Sequence, residues 1–363
     1  MNTKERHIFA GGNTARGYRC FFDSVLAEMD CLFVLTGGVE GLASTLIKQI
    51  GDELAPRAGS VEWIHSPFVN GAFDGVIFSD LRAAVVDGSY PRVLQPRAPG
   101  LIESYVNLQA VIDTNRLAPR RNLIATWFEA LYQKTQEAYE AFAQALAIHD
   151  EWEEIYISRL NREKANRVAE EVTELFFGEE TLPKNARIRH MYLGAATPSG
   201  PVDHIANLTA DIGKRYFIKG RPGSGKSTML NKLVAEAKRR GFDAEVYHCG
   251  LDPNSLDMVI LPEKSIAIFD STAPHEYFPD RSSDEVIDMY ARAIEPGTDE
   301  VFADQLAEIR GRYAAAMKKG TASLAEAQIC RHRLADIYGQ AADRYKVEAV
   351  HQSIVRELTA RLA

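Results

Sequence analysis

The chain is poor in the features that would staple, anchor or export it. Its four cysteines, Cys20, Cys31, Cys249 and Cys330, lie far apart and form no CxxC pair. That spacing speaks against a disulfide framework or a zinc site and predicts reduced, buried thiols. No apolar run approaches the roughly 18 residues that a membrane-spanning helix needs. The first residues, Met1 to Gly12, contain no apolar core of signal-peptide length, so a cytoplasmic chain is expected. A strong charge of one sign is missing too: the formal net charge is −8. This gives no general attraction to nucleic acid or to an anionic membrane, and neither is expected as a partner.

What the sequence does contain is itself, twice. Shifted by 183 positions the chain falls on itself without a gap, and 19 of the 90 positions from 7 to 96 are identical. Ordinary composition would produce about five. Gly37 meets Gly220, Ser44-Thr45 meets Ser227-Thr228, Glu62 meets Glu245 and His65 meets His248. Asp74 meets Asp257, and Asp87 meets Asp270. A repeat of this length sets the architecture. Two units are expected, 1–183 and 184–363, joined at the polar Gly178 to Lys184 stretch and packed as an intramolecular pseudo-dimer.

Each unit reads as α/β. In the second, Arg215 to Ile218 is a short apolar run ending at a glycine, as in a buried parallel strand. A helix follows from about Lys226 and closes on Lys238-Arg-Arg240 before Gly241. Ala244 to His248 and Ser265 to Asp270 read as further strands, which implies a parallel sheet flanked by helices. Each unit then turns helical. Trp127, Leu131, Ala138, Phe142 and Leu146 keep helical spacing, as do Phe302, Leu306, Ile309 and Tyr313. These stripes are read as structural, forming a helical region beside each sheet.

The segment Gly220-Arg-Pro222-Gly223-Ser224-Gly225-Lys226-Ser227 matches G-x-x-x-x-G-K-[ST] in full, between a predicted strand and a predicted helix. Glycines let the backbone curl so that successive N–H groups point at phosphate oxygens, and the helix end adds its dipole. Lys226 would reach the β- and γ-phosphates, and the Ser227 hydroxyl would ligate Mg²⁺. Thr228 extends the loop, and Asp270, ending an apolar strand, would hold Mg²⁺ through water. These residues resemble the P-loop NTPase superfamily. The full-length pattern is similar to a family of bacterial ATPase- or nucleotide-kinase-like proteins with two tandem P-loop units. The resemblance implies ATP and Mg²⁺ as cofactors and names no substrate.

The first unit departs from the motif. Leu42 stands opposite Gly225, Ala43 opposite Lys226 and Glu40 opposite Gly223. A missing cation and an added carboxylate both oppose triphosphate binding, so one competent site per chain is expected. Residues found only in the intact half are candidates for chemistry: His275 or Glu276 could orient a water or an acceptor hydroxyl. His65/His248 and Asp74/Asp257, present in both halves, are read as structural. In the opposite direction Arg16 faces Ser199, and pseudo-twofold packing could carry it to the intact site as an arginine finger.

The leading expectation is a Mg-dependent ATPase whose turnover is coupled to conformational change or a protein partner. A small-molecule or nucleotide kinase and a nucleotide sensor with negligible turnover are the alternatives. Ser271 after Asp270 replaces the glutamate of many motor ATPases. Neither an Asn-Lys-x-Asp nor a Leu-Ser-Gly-Gly run occurs, against the common GTPase and transporter types.

Overall fold

The computed structural model describes residues 4–272 and 276–362. The first unit opens with β1 (Lys4–Ile8), the hairpin β2 (Gly11–Thr14) and β3 (Gly17–Cys20), and the short helix α1 (Phe22–Val25). Then come β4 (Cys31–Thr36), α2 (Leu42–Leu54), β5 (Ser60–His65), β6 (Phe73–Phe78), β7 (Ala83–Asp87) and β8 (Glu103–Asn107). Helices α3 (Thr114–Leu117), α4 (Arg121–Ile157) and α5 (Arg162–Phe177) complete it.

The second unit repeats this order. Its strands are β9 (Ile188–Tyr192), β10 (Gly194–Thr197), β11 (Gly200–Asp203), β12 (Lys214–Lys219) and β13 (Ala244–His248), with α6 (Ile205–Leu208) and α7 (Lys226–Arg240) between them. β14 (Leu256–Leu261), β15 (Ile266–Asp270) and β16 (Glu285–Asp288) follow, then α8 (Met289–Ala293), α9 (Thr298–Val301), α10 (Ala303–Ala341) and α11 (Arg344–Thr359).

Both six-stranded sheets have the same order, β1-β5-β6-β7-β4-β8 and β9-β13-β14-β15-β12-β16. They are mixed, not parallel as the sequence suggested. β6 runs antiparallel to β5 and β7, and β14 antiparallel to β13 and β15. The apolar run Leu256 to Leu261 is the strand that sequence reading passed over. It reaches β15 through a tight turn with Ser265 at φ 51, matched by Arg82 at φ 48. A connection that short has no room for the crossover helix a parallel neighbour requires.

Central strands are apolar on both faces, and alternate residues enter different cores. Leu32 and Val34 of β4, with Phe217 of β12, enter a core shared by both units between the sheets. Phe33 and Leu35 face outward against α2, and Tyr216 and Ile218 outward against α7. Charge also crosses the join with pseudo-twofold symmetry. Arg6 donates to both Glu245 carboxylate oxygens at 2.8 and 2.6 Å, and Arg189 donates to Glu62 at 2.8 Å. Burial alone would raise the Glu245 pKa, but Arg6 and then Arg189 bring it down to about 2.

The helical regions do not sit beside their own sheets. α5 packs on α7, putting Val168, Val172 and Phe176 into the second unit's outer core. α11 packs on α2, putting Ile354, Val355 and Leu358 into the first unit's. The units thus exchange tails. α4 and α10 pair antiparallel across the join: Leu131 meets Cys330 and Leu334, and Ile155 meets Leu306 and Ile309. Among the described residues no helix is long and apolar enough to cross a membrane.

Candidate functional site

The loop leaves β12 at Lys219 and enters α7 at Lys226, so the chain must reverse within six residues. Gly223 (φ 72) and Gly225 (φ 90) supply the left-handed steps, which other residues adopt only with strain. The buried Ser224 braces the turn. Its hydroxyl donates to the Arg221 carbonyl at 2.7 Å and accepts from the Arg221 N–H at 3.3 Å. The first helical bond runs from Met229 N–H to the Gly225 carbonyl, so residues 226–228 present N–H groups without intrahelical acceptors.

Side chains of the motif converge as its chemistry needs. Lys226 Nζ lies 3.2 Å from Asp270 Oδ2 and donates to the Arg221 carbonyl at 3.2 Å. Asp270 ends β15 beside β12, paired with Ile218. Its other oxygen accepts the Thr272 hydroxyl at 2.7 Å. The Ser227 hydroxyl oxygen accepts from Leu256 N–H at 3.0 Å. Pro222 is half-buried in the loop and Thr228 faces solvent on the first turn. A cation, a hydroxyl and a carboxylate at the mouth of a helix N-terminus form a donor set that fits a magnesium triphosphate.

A roof that no local motif announced lies over this loop. α4, from the first unit, ends on it, and a Cβ at Gly223 would stand 2.7 Å from the Glu153 carbonyl and 2.9 Å from Ile157. Gly223 N–H donates to Glu153 Oε1 at 3.2 Å. His149, Asp150 and Glu153 bring one ligand atom each within 4.8 Å of one another. Burial lowers the His149 pKa, Glu153 and Asp150 oppose that, and Lys226 adds to the lowering. Arg221 is tied to Asp299 at 2.8 Å and lies over Tyr290, and Asp299 also accepts the Tyr156 hydroxyl at 2.7 Å. Sequence reasoning missed these residues because they approach from another part of the chain.

The other candidates distribute unevenly. His275 lies outside the described residues. Glu276 is exposed and 3.8 Å from Lys219, whose ammonium also donates to the Ser271 and Tyr277 carbonyls. Arg16 does cross to the second unit, where it pairs with Asp252 at 3.3 Å, yet it lines the space over the first-unit loop. Arg281 donates to the Ile212 and Ala210 carbonyls, a role in tying loops together. His65 accompanies His7, and His248 accompanies His190, each pair 2.9 Å apart in a ring cluster at the join.

In the first unit the loop is one residue shorter. Gly41 (φ 79) takes the left-handed N-cap position and α2 starts at Leu42, one residue ahead of α7. Leu42, which the alignment sets opposite Gly225, is therefore helical and does not obstruct the turn, because the glycine has moved to 41. Ala43 leaves out the lysine, and Arg92 enters from the loop after β7 instead. Arg92 pairs with Asp87 at 3.1 Å and Asp74 at 2.6 Å. Glu40 is neutralised by Arg331 of α10 at 2.6 Å.

Set against protein-family models, curated proteins and solved structures, the chain matches none.

Proposed function

We propose that the second unit is a P-loop NTPase-like nucleotide site that binds ATP with Mg²⁺, and that the chain is a slow Mg-dependent ATPase. The observation that carries this reading is the glycine loop between β12 and α7 with Lys226 set against Asp270 at 3.2 Å. Backbone N–H groups of residues 223–228 would hold the phosphates, Lys226 the β- and γ-phosphates, and Ser227 with Asp270 the Mg²⁺. The bound nucleotide supplies the phosphoanhydride bond, and the chain supplies orientation and charge. Lys226 is already placed by Asp270 and the Arg221 carbonyl, so its ammonium starts at the mouth of the cradle. The first turn of α7 contributes its unbonded N–H groups with no rearrangement of the helix.

Slow turnover follows from the neighbours of Asp270. Ser271 is fully buried and its hydroxyl donates to the Tyr277 carbonyl, so it activates no water. Glu276 is drawn toward Lys219. The same observations favour, as a second reading, a nucleotide sensor with negligible turnover. Incubation with γ-labelled ATP and Mg²⁺ separates the two: slow release of free phosphate supports the ATPase, and retained ATP supports the sensor. Label appearing on an added metabolite would point to a kinase, and no ATP binding at all would overturn the proposal.

A further inference from the structure

A cavity of about 1240 Å³ opens in the structure, and it does not lie over the intact loop. It lies over the degenerate one, between residues 38–41, the loops after β5 and β7, and a roof formed by α4 and α10. We propose that this cavity is a binding site for a flat, uncharged aromatic molecule of nucleoside or free-base type and not for a triphosphate. The cavity lies over the first unit's loop, and the proposal does not depend on ATP binding by the second unit's loop.

Aromatic side chains make the walls. Phe68, Phe128, Tyr132 and Tyr139 line the space, and Tyr90 stands at its rim with 92% of its surface exposed. Repetition of the unit does not account for them. Opposite Tyr18, Phe68 and Tyr90 the second unit has Pro201, Leu251 and Ala273. Flat rings facing a cavity favour a flat, polarisable ligand that stacks.

The floor is polar and incompletely bonded. Asp74 Oδ2, Arg92 Nε and the Tyr18 hydroxyl are buried and lack hydrogen-bond partners, and all three residues line the cavity. Asp74 is 1% exposed and the Arg92 side chain 8%. Each such atom left unmatched costs about 1–3 kcal/mol. With almost no accessible surface, these atoms lie beneath the floor, so the cavity selects by its flat aromatic walls and not by pairing a ligand's polar edge.

Charge sets the other boundary. Glu40 is paired with Arg331, Lys48 with Asp52, Arg16 with Asp252, and Arg92 with both Asp74 and Asp87. Every cation among these lining residues already has a carboxylate, so a polyphosphate would have to break pairs to be neutralised. An uncharged ligand leaves them intact.

Calorimetric titration of adenosine, guanosine, adenine and guanine into the Lys226→Ala chain, which weakens the second unit's site, tests the proposal. At least one of the four should bind with a stoichiometry of one. Thr135→Trp, which fills the cavity from the roof, should abolish that binding. Thr135 sits on a partly exposed helix face, so its variant should melt as the parent does. ATP should not displace the bound ligand. Failure of all four probes at millimolar concentration, binding indifferent to Thr135→Trp, or displacement of the ligand by ATP would each overturn the assignment.

Discussion

The two glycine loops bring positive charge to the same carboxylate from opposite directions. In the second unit Lys226 comes from the first turn of α7 and meets Asp270, with 11% of the lysine and 21% of the aspartate side chain exposed. In the first, Ala43 leaves that route empty and Arg92 arrives from the far side of β7, meeting both Asp87 and the fully buried Asp74. Lys226 stands at the mouth of a cradle where an anion can reach it. Arg92 is locked between two carboxylates below the loop. Moving the cation 49 residues along the chain, from 43 to 92, keeps the strand-end aspartate neutralised while removing the accessible cation at the helix start that a triphosphate would use. The first unit keeps its strand-end aspartate neutralised without a lysine at the start of the helix.

The largest effect expected from breaking this comparison is on stability. Arg92→Ala strands Asp74 in the core and is expected to cost about 3–5 kcal/mol, read from urea unfolding. Lys226→Ala, its counterpart, should cost about 1 kcal/mol or less, because water reaches Asp270 and Thr272 still donates to it. Equal losses would mean that the two cations are equivalent. Binding should show the reverse pattern. Lys226→Ala removes a charge-assisted contact of about 1.5–3 kcal/mol, a roughly 10- to 100-fold loss of ATP affinity by calorimetry. Arg92→Met, if it folds, should leave ATP affinity within about twofold, since the arginine belongs to the other loop.

Acid should divide the units less sharply. Burial first, then the adjacent imidazoles, holds His65 down to about 3; burial first holds His248 down to about 4, with His190 adding and the Pro253 carbonyl opposing. In the unfolded chain both titrate near 6.5. Between that value and the folded one, the unfolded state binds protons that the folded state refuses. Their stabilising contribution is complete above about pH 7 and is lost as pH falls through the window. Each ring should withdraw about 1 kcal/mol by pH 5.5. His65 lies tilted against His204 at 4.5 Å, whereas His248 stacks on Phe21 at 4.3 Å. His65→Phe should therefore flatten the pH dependence of unfolding at least as much as His248→Phe. A dependence unchanged in both variants would show that these rings are not the source.

Much of this was legible in the chain. The 183-residue offset foretold that β4 and β12, or β7 and β15, would match, and they begin at residues 31 and 214, and 83 and 266. The helical stripes through Leu131 and Leu306 were equally visible as buried faces. Their partners were not, because periodicity marks an apolar face without saying what covers it. That α5 would cross to α7, and α11 to α2, is decided by which groove lies within reach after α4 and α10 pair. Arg92 was hidden for a related reason: the alignment showed Ala43 without its lysine, and a replacement from another loop leaves no mark at the vacated position. β14 is different, since the run Leu256 to Leu261 was there to be read.

The tail exchange gives the intact loop a neighbour its own half does not supply, and the smallest expected effect probes that contact. Glu153 of α4 accepts a hydrogen bond from Gly223 N–H, one of the groups a phosphate would use. A carboxylate there repels incoming phosphate unless a cation lies between them. Glu153→Gln keeps the shape and the acceptor while removing the charge, so triphosphate should bind a few-fold more tightly, by less than about 1.4 kcal/mol. The melting temperature should barely move, because one neutral acceptor replaces another. The Mg²⁺ dependence sharpens the result. If Glu153 only repels, the gain appears with and without the metal. If Glu153, His149 and Asp150 together draw the cation toward the phosphates, the substitution instead weakens binding in Mg²⁺ and strengthens it in chelator. The sign of the change in Mg²⁺ therefore decides whether the first unit restrains the second unit's site or completes it.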